Sequence, residues 1–270
     1  MMDSIFAPKK PAWFAWSVLT MAAALVVYVA WARVTPWRAG RAGGLTFGTI
    51  AAIIFLIDGL YPLRRPLLSW PFGTAQRWLQ FHIYGGMIAM LSVLIHVGFA
   101  LPVGTMGWWL LGLSIWTVAT GLLGVALQKW IPTVIAGTLR VEALASRVPE
   151  LTARLAAQAD AVMNGAPERL WAAYQAEIRP WLERSEPAWA YVANAQAGRL
   201  RHDRSVDALD RVAADPQRVG NLRAIVIEKA ELDVHLSLQR ALRAWLVVHV
   251  PPAVVLLGLL AVHVFAALYF

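Results

Sequence analysis

The 270-residue sequence contains no cysteine, and only 15% of its residues are charged. Without cysteine the chain can hold no cysteine-ligated iron–sulfur cluster, no covalently attached c-type haem and no disulfide. A hydrophobic fraction of 59% lies outside the range of ordinary soluble domains. The sequence also shows no glycine-rich phosphate loop and no catalytic-triad pattern. These absences exclude several classes of soluble enzyme and favour a membrane environment.

Long apolar stretches give the fold class. Each has about the 20 residues that a membrane-spanning helix needs, and they lie at about 12–32, 44–63, 78–101, 107–130 and 244–269. We therefore predict an all-α integral membrane protein with five transmembrane helices and a helical extramembrane insertion before the last one. The predicted domains are 1–130 (helices one to four), 131–240 (the insertion) and 241–270 (helix five). The second stretch is the weakest candidate for a membrane span, because Asp58 lies near its end.

The distribution of charge predicts the orientation. Residues 131–240 hold 14 Lys/Arg and 14 Asp/Glu, so the net charge of +8 comes wholly from the membrane part. There the basic residues flank apolar helices and form no patch for nucleic acid, so we expect no nucleic-acid partner. The positive-inside rule favours a cytoplasmic amino terminus and insertion, with the carboxyl terminus outside. This is the expected arrangement of a multi-pass protein of the bacterial inner (cytoplasmic) membrane.

Four of the six histidines form two pairs with one spacing. His82 and His96 lie 14 residues apart in the third stretch, and His249 and His263 lie 14 apart in the fifth. In a helix this spacing returns close to the starting face and spans about 21 Å. The topology makes helices three and five parallel, so His82 should face His249 on the inner side and His96 should face His263 on the outer side.

Two imidazoles that face each other can hold one haem iron between them. We predict that His82 with His249 and His96 with His263 ligate two non-covalent haems of the b type. Two histidine ligands fill both axial positions of the iron, which favours electron transfer over oxygen chemistry. The simpler hypothesis for a single membrane histidine is a hydrogen bond to a neighbouring helix, but four histidines matched in spacing and depth favour ligation.

Small residues and basic residues complete the predicted site. Glycines would leave room for a flat macrocycle, although they also serve plain helix packing; they are Gly85, Gly86, Gly121 and Gly124. Arg77, Lys129 and Arg243 are candidates for binding the haem propionates, or else are interfacial anchors. His235 continues the spacing of 14 before His249. A third haem would need a facing ligand such as His202, and a solvent-facing histidine or a proton donor near a quinone is favoured.

These residues resemble a known family. The segments FHIYGGMIAMLSVLIHVG, with His82 and His96, and VVHVPPAVVLLGLLAVHV, with His249 and His263, are similar to the di-haem core of cytochrome b from quinol-oxidising bc complexes. The membrane domains of ferric reductases and NADPH oxidases share the pattern. The resemblance implies an electron-transfer subunit linked to the quinone pool, with quinone as a further candidate ligand. The Pro-Glu-Trp-Tyr motif of the quinol site in the bc complexes is missing. A flavin or nicotinamide domain is not expected either, which argues against a complete ferric reductase.

The expected partners are membrane lipid and other redox subunits. A multihaem c-type cytochrome could dock outside and an iron–sulfur or flavin subunit inside. Two alternatives stay open: a transporter or proton channel that uses the histidines as a relay, and a membrane anchor for the helical insertion.

Local signals give the elements of the last 125 residues. One helix should begin near Pro149 and end at Asn164-Gly165, and Pro167 should begin the next. Its predicted core residues are Leu170, Trp171, Tyr174, Ile178 and Trp181. Asp215-Pro216 should open a long helix that continues into the last span, where Pro251 and Pro252 predict a kink.

Overall fold

The computed structural model describes residues 11–63, 74–135, 148–184 and 215–269. Within them the chain is helical and contains no strand. Its α-helices are α1 (Pro11–Val34), α2 (Ala42–Gly59), α3 (Ala75–His96), α4 (Thr105–Ile135), α5 (Val148–Met163), α6 (Glu168–Ala173), α7 (Arg179–Glu183) and α8 (Pro216–Tyr269). A 3₁₀ turn follows α2 at Tyr61–Leu63, and a π-helical turn joins α6 to α7 at Tyr174–Ile178.

Five of these helices, α1 to α4 and α8, are long and apolar enough to cross a membrane. The predicted fold class is therefore confirmed: the chain is an all-α, multi-pass membrane protein. The first span has little contact with the rest of the protein, since only 6% of its apolar segment is buried inside the protein. A helix that is apolar on every side and yet exposed is stable when lipid covers it.

The residues form two compact units, one of Met1–Leu127 with Trp245–Phe270 and one of Gln128–Ala244. Helix α8 contributes residues to both units. In the first unit α3 packs against α1 and α2. The face of α2 that is buried repeats every three or four residues, as one side of a helix must, through Gly44, Phe47, Ala51, Phe55 and Asp58.

An apolar layer lies halfway along the first unit. Ala89 of α3 is fully buried and Leu256 of α8 is 2% exposed, and both belong to one cluster with Phe55 of α2. Ala89 is seven residues from both His82 and His96, and Leu256 stands in the same relation to His249 and His263. The layer therefore separates the two levels at which the histidines lie.

Helix α8 continues through Pro251 and Pro252. A proline lacks the N–H that would donate to the carbonyl four residues earlier, so Pro252 frees the carbonyl of Val248. The indole Nε1 of Trp116, on α4, donates to that carbonyl at 3.1 Å. A neighbouring helix thus satisfies the backbone group that proline leaves unpaired, as apolar surroundings require.

The second unit has its own core. Helices α5 to α7 pack with the first part of α8, and the largest fully buried side chains include Met163, Leu170, Tyr174, Leu182 and Leu222. The predicted ends of these helices are confirmed: α5 stops just before Gly165, which has a positive φ of 71°. Trp171, however, is 37% exposed, so its predicted core position was wrong. It follows the buried Leu170 about 100° around the helix, and its ring lies at the edge of the core, 5.7 Å from that of Tyr174.

Two ion pairs join side chains within the second unit. Lys229 and Asp233 are buried, and the Lys229 Nζ lies 2.6 Å from a carboxylate oxygen of Asp233. Asp160 accepts hydrogen bonds from Arg179 at 2.8 Å and from the Tyr174 hydroxyl at 2.7 Å. Desolvation raises the pKa of Asp160, but these hydrogen bonds outweigh it and hold the pKa below its ordinary value.

Candidate functional site: two facing histidine pairs

The first histidine pair is His82 of α3 and His249 of α8. Their ring centroids lie 6.3 Å apart and the ring planes cross at 86°. His249 is buried, whereas the side chain of His82 is 30% exposed. Two helices that are distant in sequence therefore bring two imidazoles next to each other, at right angles, inside the first unit.

The second histidine pair is His96 of α3 and His263 of α8. Their ring centroids lie 6.5 Å apart and the planes cross at 77°. The order of the pairs is the same along both helices, so α3 and the last part of α8 run parallel. The structure thus brings together the same partners that the sequence spacing predicts.

The separation of the rings is the one that a shared metal requires. A metal–imidazole bond is about 2.0–2.1 Å, and a ring nitrogen lies about 1.1 Å from its ring centre. Two imidazoles on opposite sides of one iron therefore have centres about 6.3 Å apart. T-shaped aromatic pairs occur at similar distances, so the availability of the ring nitrogens has to be considered as well.

Hydrogen bonding fixes the nitrogen of His96 that remains available. Its Nδ1 lies 2.8 Å from the carbonyl oxygen of Gly44 on α2. A carbonyl only accepts, so Nδ1 must carry the proton and Nε2 keeps its lone pair. A histidine that binds a metal usually donates its other N–H to a carbonyl in this way.

His249 is held in the same tautomer by a hydroxyl group. Its Nδ1 lies 2.9 Å from Oγ1 of Thr120 on α4. That hydroxyl donates to the carbonyl of Trp116 at 2.7 Å, so its oxygen accepts the Nδ1 proton of His249. One histidine of each pair therefore keeps Nε2 free to bind a metal.

An indole ring packs on His249 from its own helix. Trp245 stacks on the imidazole with centroids 5.4 Å apart and planes at 17°, and its Nε1 donates to the Thr120 carbonyl at 2.7 Å. Gly124 makes this possible, because a Cβ there would overlap the indole. A Cβ at Gly121 would lie 3.4 Å from Cε1 of His249. Gly121 thus adjoins the first pair, and Gly124 adjoins the indole that stacks on it.

The predicted glycines of α3 have different neighbours. A Cβ at Gly85 would lie 3.3 Å from Ile54 and 3.4 Å from Asp58, so this residue faces α2. Gly48 of α2, which the sequence did not single out, lies against the second pair, since a Cβ there would be 2.7 Å from Nδ1 of His96. A glycine that admits a side chain from another helix has no signal in the sequence that distinguishes it from other glycines.

The neighbours of His82 had no functional role predicted from the sequence. Tyr61 stacks on its ring with centroids 4.8 Å apart and planes at 24°. Oδ1 of Asp58 lies 3.8 Å from Nδ1 of His82. In the sequence Asp58 only weakened a span, although an ionisable residue inside a span is a functional candidate by default.

The remaining candidates are two exposed arginines and three residues whose side chains lie outside the described residues. Arg77 is exposed in the first turn of α3, and Arg243 is exposed in the second unit. The side chains of Lys129, His202 and His235 lie outside the described residues. Across the described ranges, no group of three or more His, Cys, Asp or Glu side chains could cage a metal ion. The donor sets are the two pairs of imidazoles.

Comparisons with known proteins do not place the chain in a family. No family model, no curated protein and no solved structure matches it. What the chain can do must therefore be argued from its own residues. The donor chemistry fits haem, since each pair offers two imidazoles whose centroids are 6.3 or 6.5 Å apart, a separation that allows both to bind one iron.

Proposed function

We propose that this chain is a di-haem cytochrome b subunit of a membrane electron-transfer complex, which carries electrons across the bilayer between the quinone pool and protein redox partners. One observation carries the proposal: two histidine pairs, on the same two parallel helices, have ring centroids 6.3 and 6.5 Å apart. A single pair could arise from helix packing. Two pairs with nearly equal separations, 14 residues apart on each helix, favour a repeated function.

The protein side of the mechanism is to hold two redox sites at fixed depths. His82 with His249, and His96 with His263, would hold the two haems, and the Gly44 carbonyl and Thr120 hydroxyl would keep the rings of His96 and His249 in the ligating tautomer. When bound, a haem iron with two histidine ligands supplies one-electron oxidation and reduction without an open position for oxygen.

The two levels would divide the membrane into shorter steps. Fourteen residues of helix separate them by about 21 Å, against a hydrocarbon core of about 30 Å. The apolar layer around Ala89 and Leu256 lies between them. An electron that crosses a membrane potential gains or loses about 2.3 kcal/mol per 100 mV, so transport through this chain would be coupled to that potential.

The proposed setting follows from charge and from the resemblance to cytochrome b. The basic residues that flank the spans favour a bacterial inner membrane with residues 131–240 in the cytoplasm. The second unit would then offer a docking surface for an iron–sulfur or flavin subunit. The second histidine pair would lie near the outer surface, within reach of a multihaem c-type cytochrome.

A proton-conducting histidine relay is the second candidate function. It is favoured by one contact, that of the buried Asp58 with His82 at 3.8 Å. A relay needs titratable groups in sequence across the membrane. Among the described residues the apolar layer at Ala89 and Leu256 interrupts such a path between the two pairs, and this favours electron transfer.

The test is electron transfer across a sealed vesicle. Proteoliposomes are made with the purified full-length chain and enclose ferricyanide. Dithionite is added outside as the electron donor, and potassium with valinomycin dissipates the membrane potential that electron transfer would build up. We expect rapid reduction of the enclosed ferricyanide. His263→Ala, which removes one ligand of the second pair, should slow it to the rate of protein-free vesicles. Ser114→Ala removes a buried hydroxyl that bonds only within its own helix in the described structure, and should leave the rate unchanged.

The two candidate functions give opposite results in these vesicles. Wild-type protein that conducts no electrons but collapses an imposed pH gradient would contradict the cytochrome and support the relay. Electron transfer that persists in His263→Ala would contradict the assignment of the second pair.

A further inference from the structure

Asp58 is a carboxyl group in an apolar helix. It is 7% exposed, and it is the only acidic residue in the sequence between residues 11 and 130. Its Oδ1 is buried and accepts no hydrogen bond from the described residues. A carboxyl inside a membrane span is costly and is kept where it serves a function.

The environment of Asp58 directs it toward the first histidine pair. Oδ1 lies 3.8 Å from Nδ1 of His82. Two consecutive glycines of α3 leave the space that the carboxyl occupies, since a Cβ at Gly85 would lie 3.4 Å from Oδ1 and one at Gly86 3.6 Å from Oδ2. Helix α3 therefore presents no side chain between the carboxyl and the ring on the next turn.

The Nδ1 contacts of His96 and His249 are with neutral groups instead. Nδ1 of His96 meets a backbone carbonyl, and Nδ1 of His249 meets a hydroxyl. A carboxylate next to a ligating histidine makes the imidazole a stronger electron donor and favours the more positive state of the metal. The asymmetry of these partners therefore makes the two sites electronically different.

We propose that Asp58 is a positioning residue for His82: the 3.8 Å between Oδ1 and Nδ1 would close to a hydrogen bond, with Nδ1 as donor, when the ring holds a haem, and the carboxylate would lower the midpoint potential of that haem below that of the second. The inference rests on the proposed function. It also predicts where an electron resides at equilibrium. The electron resides at the second pair, because the haem at the first pair is the harder of the two to reduce.

The test is a redox titration of the haem absorption bands of the purified chain. Wild-type protein should show two midpoint potentials. Asp58→Asn keeps the shape and removes the carboxylate that the proposal requires, and a charge at this range shifts a neighbouring equilibrium by about tenfold or more. The lower potential should therefore rise by at least the 59 mV that a tenfold change represents for one electron, while the higher one stays in place. The same shift should appear in His263→Ala, which retains only the first haem, and Ser114→Ala should shift neither potential.

The outcomes separate this inference from the proposed function. Two haems whose potentials do not move in Asp58→Asn, or move equally, would overturn the role of Asp58 and leave the cytochrome intact. Wild-type protein without haem would overturn both. If Asp58→Asn loses the first haem, Asp58→Glu, which keeps a carboxylate, tests the role of the charge. An Asp58→Glu protein with two haems, one of them at a separate low potential, supports the proposed role of the carboxylate. Loss of the first haem from Asp58→Glu contradicts that role.

Discussion

Replacing Gly124 by alanine tests whether α4 and α8 pack as the first histidine pair requires. A Cβ at this position would overlap the Trp245 ring and lie 2.8 Å from its Nε1. The indole would have to move, and it would lose both its hydrogen bond to the Thr120 carbonyl and its stack on His249. A single methyl group should therefore disturb His249, a proposed haem ligand that it does not touch.

The size of the effect follows from two contributions. Overpacking a well-packed interior costs about 1–3 kcal/mol, and a lost hydrogen bond adds about 1 kcal/mol. Alanine also forms helix more readily than glycine, by up to about 1 kcal/mol. Gly112→Ala, on the same helix, gains the same propensity, but its Cβ meets nothing within 4 Å. The difference between the variants should thus be about 2–4 kcal/mol.

The assay is unfolding of the two variants in detergent, followed by circular dichroism, with haem content measured before unfolding. We expect Gly112→Ala to match or exceed the stability of the wild type, and Gly124→Ala to be less stable and to lose haem from the first pair. Equal stabilities and equal haem contents would show that Trp245 does not pack against Gly124, and would refute the reasoning.

Three further predictions follow from single contacts. Gly48→Ala should displace His96 and lower the content of the second haem alone, measured by haem absorption; loss of both haems would contradict this. Trp116→Phe should cost about 1 kcal/mol, because the carbonyl freed by Pro252 loses its donor. In the Pro252→Ala background, which restores the helical N–H, the same change should cost less in a double-mutant unfolding cycle. Asp160→Asn should destabilise the second unit by about 1 kcal/mol or less at neutral pH. Because the pKa of Asp160 is lowered by folding, its contribution is present above about pH 4 and is lost as the pH falls below that value, so wild type and variant should converge in acid unfolding curves.

Hydropathy and periodicity were sufficient for the membrane architecture. All five spans were predicted, because about twenty consecutive apolar residues are typical of a membrane-spanning helix and rare in soluble domains. The boundaries were less accurate: the third span was predicted to reach residue 101, but α3 ends at His96. Gly98 and Phe99 both have positive φ there, and Trp37 packs against Gly98. This turn depends on a tryptophan from another loop, which a local pattern does not reveal.

The partners of the histidines could be predicted only in part. Equal spacing on two parallel helices was enough to predict that His82 would meet His249 and His96 would meet His263. It could not identify the Gly44 carbonyl, because every residue has a carbonyl group. Nor could it identify Thr120, whose role depends on the rotation of α4 against α8. The environment of the sites depends on tertiary contacts, whereas their placement depends on helical periodicity.

The most direct test of the central claim is the haem content of the purified full-length chain, produced with ample haem and measured as the pyridine haemochrome with a reduced-minus-oxidised spectrum. Two low-spin b-type haems per chain, falling to one in His263→Ala, are what the two histidine pairs predict. A chain that folds in the membrane and binds no haem would contradict the account.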